Sequence, residues 1–386
     1  MTEIKHASRG HAVLSASGAK RWMSCTPSAR LEEKFPSTNT VYSLEGTRAH
    51  EISEEQLRLF LEGKKKKVKY KDDDLRIYDE VLPYIERIKK LYAECKKRSE
   101  STVMFLETRL DFSNYVPDGF GTGDVILLED DTLHIIDLKF GKGVRVDAEN
   151  NPQLRLYGLG AINAFDDLYD FKSVAMHIEQ PRLNHSSEEV LTKEELLKWG
   201  DDLKPIAQEA YNGDGEFHPG EHCKFCKASG CCKALADHSL EIIDKDVLDP
   251  QLVNTVELGP ILEKIPTIEH WIKAIKEHSI NQVLSGEYIP GWKLVEGRSL
   301  RKYTNDVDVI NALHEAGYED ALIFEKKLYG ISTMEKNLGK KKFGEVLGDY
   351  IYKPEGAPTL APESDKRPEF KPQQALIDSI EVPEGL

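Results

Sequence analysis

The sequence predicts an α/β fold with a mixed β-sheet, and two observations lead to this prediction. Apolar residues recur with a helical period up to about residue 98 and then alternate with a period of two from residue 103. The predicted elements follow the order helix, strand, strand, strand, helix, strand, which is typical of an α/β core. The content of hydrophobic residues, 40%, and of charged residues, 31%, is that of a globular protein.

The individual elements follow from local patterns. Helical periodicity predicts helices over 11–62, about 72–98, 190–212 and about 256–283, the last with a buried apolar stripe. Alternation predicts strands over 103–110, 124–128, 133–140 and 173–178, with a turn at 129–132. A further helix begins at Pro152 and runs to about residue 165, because Asn151 caps its first turn and proline suits its first position.

The chain is long enough for two compact units with additions, and we divide its 386 residues into four segments. Residues 1–100 form a helical N-terminal part, and residues 101–240 form a core that ends in a group of cysteines. Residues 241–352 form a helical, basic region. Residues 353–386 form a proline-rich tail that we expect to be extended or disordered.

The sequence favours a cytoplasmic location without a membrane. No window approaches the roughly 20 apolar residues that a membrane helix needs, and the polar N-terminus shows no secretory signal. The charge balance is acidic, with 52 basic and 67 acidic residues and a net charge of −15. This balance excludes overall attraction to nucleic acid, so a DNA substrate would have to be contacted by local basic patches.

Two acidic residues are predicted to face each other across the hairpin formed by the second and third strands. In an antiparallel hairpin the numbers of opposed residues have a constant sum, and a turn at 129–132 sets this sum at 261. Asp124 and Asp137 are then directly opposed, with Cβ atoms roughly 5 Å apart, where their repulsion weakens the hairpin unless a cation lies between them. Lys139 projects from the same face as Asp137, because one residue separates them in the strand.

These three side chains suit metal-dependent hydrolysis of a phosphodiester. The two carboxylates offer the oxygen ligands that Mg²⁺ prefers, and a bound metal acidifies water and offsets charge on the phosphate. The Lys139 ammonium can orient the attacking water and stabilise developing negative charge. A lone D-x-K segment is most often an ordinary acidic hairpin, so the interpretation depends on further motifs.

The motifs around the hairpin resemble those of the PD-(D/E)xK nucleases in their RecB-like form. This group includes the RecB and AddB nuclease domains and the CRISPR-associated adaptation nucleases. The resemblance implies a restriction-endonuclease-like core, in which helices flank a mixed central sheet, with helical additions at both ends. The matching segments are Gly121-Thr122-Gly123-Asp124, Asp137-Leu138-Lys139, the pair Gln153 and Tyr157, and Gly46-Thr47-Arg48-Ala49-His50.

The resemblance also implies roles for these residues. Those implied in catalysis are Asp124, Asp137, Lys139, Gln153 and Tyr157. Those implied in binding Mg²⁺ or Mn²⁺ are His50, Asp124 and Asp137. Gln153 and Tyr157, four residues apart on one side of a helix, would position the active site and the DNA. Glu107 stands where the family often has an acidic residue, although this match is looser.

The cysteines form a second signal. Four of the six fall within ten residues, and in a reducing cytosol such clustering indicates metal binding rather than disulfides. Cys223, Cys226 and Cys232 form a C-x2-C-x5-C frame, which supplies three of the four ligands needed by zinc or an iron–sulfur centre. The residues themselves leave the fourth ligand open. The candidates for it are Cys25, Cys95, Cys231, His222 and His238.

The resemblance selects Cys25 as the fourth ligand. RecB-like nucleases with an iron–sulfur staple place one cysteine before the core and three after it, in the same spacing. This implies a [4Fe–4S] cluster, with Zn²⁺ as the alternative, and leaves Cys95 as a small buried side chain. The cluster would join positions 25 and 223, which are 198 residues apart. Closing so long a loop lowers the entropy of the unfolded chain, so the expected role is structural.

Two sets of basic residues are candidates for contact with DNA. Basic side chains interleaved with aromatic ones suit a DNA backbone and unpaired bases, although solvated lysine-rich surfaces are about as common. The whole chain resembles phage and prophage proteins with a RecB-like core, which implies a bacterial host cell and a phage single-strand annealing protein as a further partner. The candidates are Lys142 and Arg145 in the loop after the third strand, and Arg298, Arg301 and Lys302 in the C-terminal region.

The sequence therefore predicts a metal-dependent deoxyribonuclease, and we expect an exonuclease that acts in phage DNA recombination or processing. The alternative is a non-catalytic DNA- or protein-binding module on a RecB-like fold, with a zinc or iron–sulfur structural site. The combination of two aspartates, a lysine and a histidine favours the nuclease, because a module that only binds has no chemical need for all four.

Overall fold

The structure is a computed structural model that describes residues 12–36, 41–64, 68, 70–246, 255–295, 311, 314–315 and 339–347. The chain divides into two compact units, Met1–Val295 and Glu296–Leu386. The described part of the second unit includes the helix Lys340–Leu347, in which Phe343 is buried. Outside the described residues lie the predicted tail at 353–386 and the candidate DNA contacts Arg298, Arg301 and Lys302.

Most predicted helices of the first unit are present. They are α1 (Ala19–Ser24), α2 (Ser28–Glu32), α3 (Val41–Leu61), α4 (Asp72–Arg98), α5 (Pro152–Phe165), α6 (Lys193–Asn212), α7 (Lys233–Asp246) and α8 (Thr255–Leu284). The helical stretch expected over 11–62 is divided into three helices, because Pro27 and Pro36 interrupt it. No helix in the described ranges is long and apolar enough to cross a bilayer.

A five-stranded sheet forms the centre of the first unit. Its strands are β1 (Val103–Asp111), β2 (Phe120–Glu129), β3 (Thr132–Leu138), β4 (Ser173–Gln180) and β5 (His185–Thr192). They lie across the sheet in chain order, with β3 and β4 parallel and the other neighbours antiparallel. Helix α5 connects β3 to β4, as parallel pairing requires. The predicted α/β fold with a mixed sheet is therefore confirmed.

Alternate residues of the strands face two separate apolar cores. Ile126, Ile135 and Met176 pack with α1, α5 and α6. Val125 and Ile136 face the other way and pack with α3 and α4. Both faces of the central strands are covered, which explains why their sequences are nearly continuous apolar runs.

The β2–β3 hairpin has the register that the sequence predicts. Its turn consists of Asp130 and Asp131, and the pairing of Val125 with Ile136 corresponds to the expected sum of 261. A two-residue turn leaves no slack for slippage, and a shift by one residue would turn the apolar side chains out of both cores. Register and apolar pattern therefore specify the same pairing.

Two expectations need correction, and the sequence analysis does not predict strand β5. The side chains of β5 alternate between partly exposed and exposed positions, so its sequence has no apolar alternation. The helix expected to begin at 190 begins at Lys193, where Thr192 and Glu195 form a capping box. The apolar stripe of α8 is only partly buried, by contacts with α7 and the cysteine segment. Its exposed members are Leu262, Ile265 and Ile272.

Candidate metal centre and cysteine cavity

The two aspartates of the hairpin lie at the point where β3 ends. Asp124 continues the β2–β3 register opposite Asp137. One carboxylate oxygen of Asp124, Oδ2, accepts a 2.7 Å hydrogen bond from the backbone N–H of Leu138. The Asp137 side chain is buried. The strand pairing therefore holds the two carboxylates close together, one fixed by the backbone and the other enclosed.

Gln153 connects the lysine to Asp137. Lys139 Nζ lies 2.8 Å from Asp137 Oδ2 and donates a 2.7 Å hydrogen bond to Gln153 Oε1. The Gln153 amide nitrogen donates to Asp137 Oδ1 at 2.9 Å and to the Tyr157 hydroxyl at 3.3 Å. The start of α5 fixes Gln153, because the Asn151 side chain accepts its backbone N–H. The fold thus brings these predicted side chains together.

His50 and Glu107 approach Asp124 from the adjoining elements. His50, on α3, places Nδ1 at 3.3 Å from Asp124 Oδ1. The β1–β2 register places Glu107 opposite Asp124. Glu107 has a backbone φ of 45°, in the left-handed region that residues other than glycine rarely adopt. Backbone strain of this kind concentrates at functional sites.

The electrostatics of this group indicate an excess of negative charge. Burial and the nearby Asp124 carboxylate raise the pKa of Glu107 to about 7. Burial also raises the pKa of Asp137, against the opposing effect of the Lys139 ammonium. Burial alone would lower the pKa of His50, but the Asp124 carboxylate raises it to about 9. A cation at this point would relieve the repulsion between the carboxylates.

The side chains around Asp124 form a group that can hold a metal ion. Ligand atoms of His50, Glu107 and Asp124 lie within 4.8 Å of one another. Asp137, a predicted ligand, is outside this group and pairs with Lys139 instead. Glu107, for which the sequence match is looser, is inside it. Glu107 lies opposite Asp124 across the β1–β2 pair, and this can be recognised only when the register of these two strands is known.

Tyr84 is a site residue that the sequence analysis does not indicate. It lies on α4, is buried, and lines a small cavity together with His50, Glu107 and Asp124. Burial and the surrounding carboxylates raise the pKa of Tyr84 well above its ordinary value, so its hydroxyl stays neutral. On an amphipathic helix a tyrosine in the apolar stripe has the signature of a core residue, and this one gives no other signal.

The predicted basic residues of the loop after β3 lie at the surface. Lys142 Nζ is 3.7 Å from Glu80 Oε1, and an Arg145 guanidinium nitrogen is 3.0 Å from Asp147 Oδ1. Both basic side chains are exposed. Exposed ion pairs contribute little to stability, so either side chain can exchange its partner for a phosphate.

A second group of potential metal ligands lies at the turn end of the hairpin. Cys95, Glu129 and His134 are buried and place ligand atoms within 4.8 Å of one another. Arg98 donates to both oxygens of Glu129, at 2.6 and 2.8 Å, and to Cys95 Sγ at 3.2 Å. This guanidinium already supplies the positive charge, so we interpret the group as a structural network. The prediction that Cys95 is a small buried side chain is confirmed.

Cysteines from the two ends of the core meet in one cavity. The cysteines that line it are Cys25, Cys223, Cys226 and Cys232. Of the other candidates for a fourth ligand, His222 also lines this cavity. Cys231 is exposed and does not line it, and neither does His238. Cys95 belongs to the network at the turn end of the hairpin. The C-x2-C-x5-C frame and the upstream cysteine therefore come together in space.

An ion pair holds the two sides of this cavity. Arg21 of α1 pairs with Glu32 of α2 at 2.7 Å and donates a 3.1 Å hydrogen bond to the carbonyl of Phe225. The Glu32 carboxylate also accepts the backbone N–H of Lys227 at 2.7 Å. Arg21 and Glu32 together therefore tie the N-terminal helices to the cysteine segment.

Burial favours the neutral form of three thiols that line the cavity. Burial raises the pKa of Cys25 and of Cys223, and it raises the pKa of Cys226 to about 12. Thiolates are the form that binds metals, so binding here would release protons.

The chain matches a solved structure weakly and a protein family over most of its length. A solved structure described as "Crystal structure of SSO0001" matches 54% of this chain and 95% of that chain, at 14% identity and a TM-score of 0.20. A TM-score this low does not establish a shared fold. A family model described as "Protein of unknown function (DUF2800)" matches residues 11–368, which is most of the chain. The chain therefore belongs to the DUF2800 family.

Proposed function

We propose that the protein is a metal-dependent DNA nuclease built on a PD-(D/E)xK core of the RecB-like type. The observation that supports this most is the meeting of Asp124, Asp137 and Lys139 with His50 at one end of the hairpin. The aspartates come from neighbouring strands, and His50 comes from a helix 74 residues earlier than Asp124. Their convergence therefore does not follow from nearness in the sequence.

The group around Asp124 fits a divalent cation such as Mg²⁺ or Mn²⁺. Asp124 and Glu107 offer the oxygen ligands that these ions prefer, and His50 adds a nitrogen. Burial and repulsion from Asp124 raise the pKa of Glu107 to about 7, and a cation would offset that repulsion. When bound, the ion would acidify a water molecule and offset charge on the scissile phosphate.

Lys139 is placed to assist the attacking water. An ammonium has three N–H donors, of which one points to Gln153 and one is near Asp137. The third can donate to water or to a phosphate oxygen, where it would stabilise developing negative charge. Gln153 and the buried Tyr157 hold this arrangement in place.

For the cysteine cavity we propose a [4Fe–4S] cluster, with Zn²⁺ as the alternative. Four cysteines suit either one. The four side chains line one cavity. The preference for a cluster follows from the resemblance of the cysteine spacing to that of RecB-like nucleases with an iron–sulfur staple.

Digestion of end-labelled linear DNA beside covalently closed circular DNA tests the proposed function. With Mg²⁺ or Mn²⁺ we expect the linear substrate to be degraded and the circle to survive, and with EDTA we expect no cleavage of either. Lys139→Ala should lose the activity, whereas Lys198→Ala, on an exposed face of α6, should retain it. Cleavage of the circle would make the protein an endonuclease. Failure to cut either substrate would favour the binding module.

A further inference from the structure

A second cavity, of about 320 Å³, adjoins the cysteine cavity and shares Arg21 and His222 with it. Its walls come from α1 and the turn before it, from residues 220–225 of the cysteine segment, and from the middle of α8. Val144, five residues after Lys139, contributes to its rim. Five residues span at most roughly 18 Å, so the cavity opens close to the proposed active site.

Two lysines supply positive charge to this cavity. Lys20 is 75% exposed, and its Nζ lies 3.8 Å from Oε2 of Glu221, which is itself 91% exposed. An exposed pair of this kind is worth little, so the Lys20 ammonium can exchange Glu221 for a phosphate. Lys224 places its Nζ 5.9 Å from the centre of the Phe225 ring. Charge and an aromatic surface are therefore side by side.

Phe225 is the aromatic wall of the cavity. The residue is 63% exposed, although an aromatic ring gains free energy when it is covered. Its backbone is held, because its carbonyl accepts a hydrogen bond from Arg21 at 3.1 Å. An exposed aromatic ring beside lysines is the arrangement with which proteins bind single strands, by stacking bases and contacting phosphates.

His270 of α8 adds an unused polar atom. Its Nε2 is buried and has no hydrogen-bond partner among the described residues, and the side chain lines the cavity. Burial lowers the pKa of His270, so the ring is neutral at neutral pH. The backbone of Cys223 hydrogen-bonds the same ring. A neutral imidazole has one N–H donor and one acceptor nitrogen, so the remaining nitrogen can make one hydrogen bond. Buried polar atoms without partners are rare, and this one belongs to a residue of the cavity wall.

We propose that this cavity binds one unpaired nucleotide of a DNA single strand that leads to the active site. The volume is at the lower end of the range for ligand sites, and stacking on Phe225 requires a base that is not paired. The choice of DNA and the path toward the active site depend on the proposed nuclease function. Binding to the cavity itself does not require cleavage.

Fluorescence anisotropy with the full chain tests this proposal. Labelled oligo-dT and a blunt duplex of equal length are titrated in EDTA, which prevents metal-dependent cleavage. Phe225→Ala should weaken single-strand binding about 5- to 100-fold, and Phe225→Leu, which keeps an apolar side chain but removes the ring, should do the same. Duplex binding should change less than about two-fold. The exposed control Leu168→Ala should bind both as the wild type does.

The salt dependence provides a second readout. Replacing both Lys20 and Lys224 by alanine should reduce the slope of log K against log salt by roughly 1.4 for the single strand. If the Phe225 variants bind oligo-dT as tightly as the wild type, or lose both substrates equally, the proposal is overturned. Cleavage assays on the same preparations separate the two proposals. A protein that binds through Phe225 but does not cut would overturn only the nuclease.

Discussion

At the scale of single residues, Gln153 fixes the geometry of the proposed catalytic group. Its amide oxygen accepts a hydrogen bond from Lys139 while its nitrogen donates one to Asp137. An amide can do both at once, whereas a carboxylate can only accept. The positions of Lys139 and Asp137 relative to each other therefore depend on this one side chain.

Substitution of Gln153 tests this role. Gln153→Ala should reduce the single-turnover cleavage rate about 10- to 100-fold, because supporting hydrogen bonds are lost. Gln153→Glu should reduce it further, since it removes the donor to Asp137 and adds a negative charge beside a buried carboxylate. Gln208→Glu, on an exposed part of α6, is the matched control and should leave the rate unchanged. A Gln153→Glu variant as fast as the wild type would contradict the assigned role.

The residues of the site differ in how far the sequence could predict them. Asp124 and Asp137 could be paired because a short turn and an apolar alternation fix their register. Glu107 could not be placed in the metal group from the sequence, because its place depends on the pairing of its own strand, β1, with β2 and on a left-handed backbone. Tyr84 reaches the site through the packing of α4 on the sheet, which no local pattern encodes.

At the scale of elements, the height of α5 above the sheet is set by a close approach at Gly160. A Cβ at this position would lie 2.8 Å from the Cβ of Leu110 and 3.3 Å from its backbone carbon. Contacts this short require β1 or α5 to move. Because Gln153 is in the first turn of α5, the same approach also sets its distance from Asp137.

Two glycine substitutions with opposite expected effects test this packing. Gly160→Ala should lower the free energy of unfolding by about 1–3 kcal/mol, through overpacking against Leu110. Gly46→Ala should raise it by up to about 1 kcal/mol, because Gly46 lies within α3 and a Cβ there meets nothing within 4 Å. Urea denaturation measures both values. A destabilised Gly46→Ala or an unaffected Gly160→Ala would show that the contacts are not as described.

The pairing of β3 with β4 buries two histidines, His134 and His177, with ring nitrogens 3.3 Å apart. Burial lowers the pKa of His177 to about 3 and also lowers that of His134. An unfolded histidine binds a proton below about pH 6.5, whereas native His177 does not until about pH 3. The free energy of unfolding contributed by His177 therefore falls as the pH decreases through this range.

Comparison with His177→Gln isolates this effect. Between pH 6.5 and 5, the wild type should lose about 2 kcal/mol relative to the variant, because the unfolded histidine gains a proton that the native one does not. The comparison with the variant is necessary because the raised pKa of Glu107 increases the free energy of unfolding as the pH falls, which opposes the effect of His177. Urea denaturation of both proteins at several pH values measures the difference between them. A difference that is constant with pH would contradict the burial of a neutral His177.

The elements were predictable to the extent that they carry apolar periodicity. Helix α5 has its cap and proline in the sequence and a regular apolar pattern, and it lies where predicted. Among the described strands, β5 pairs with β4 alone and has no fully buried side chain, so its sequence has no apolar alternation. The sequence feature that indicates the end of β5 is the capping box of Thr192 and Glu195, which marks the start of α6.

At the scale of the whole molecule, the cysteine cavity joins the start of the described chain to the end of the core. Cys25 lies between α1 and α2, and Cys223 lies 198 residues later, beyond the last strand. The C-x2-C-x5-C frame is local and could be read from the sequence, whereas no local pattern connects Cys25 to it. That connection was expected from a family resemblance, and in space these cysteines line one cavity.

Cysteine variants test the proposed cluster. Cys25→Ala should lose the bound iron and the broad visible absorption of an iron–sulfur cluster, whereas zinc, with a filled d shell, gives no such band. Its unfolding free energy should fall by up to about 5 kcal/mol, the loop-entropy limit for a closure of this length. Cys231→Ala, outside the cavity, should retain both metal and stability. Equal iron content in the two variants would contradict the assignment.

The proposed metal-dependent hydrolysis of DNA depends on the two carboxylates of the β2–β3 hairpin, Asp124 and Asp137. Its most direct test is the single-turnover cleavage rate of Asp124→Asn and Asp137→Asn in Mg²⁺, beside Asp167→Asn on the exposed surface after α5. We predict that the first two variants fold but cut about 100- to 1,000-fold more slowly, while the third cuts as the wild type does. Equal rates for all three variants would show that the chemistry lies elsewhere.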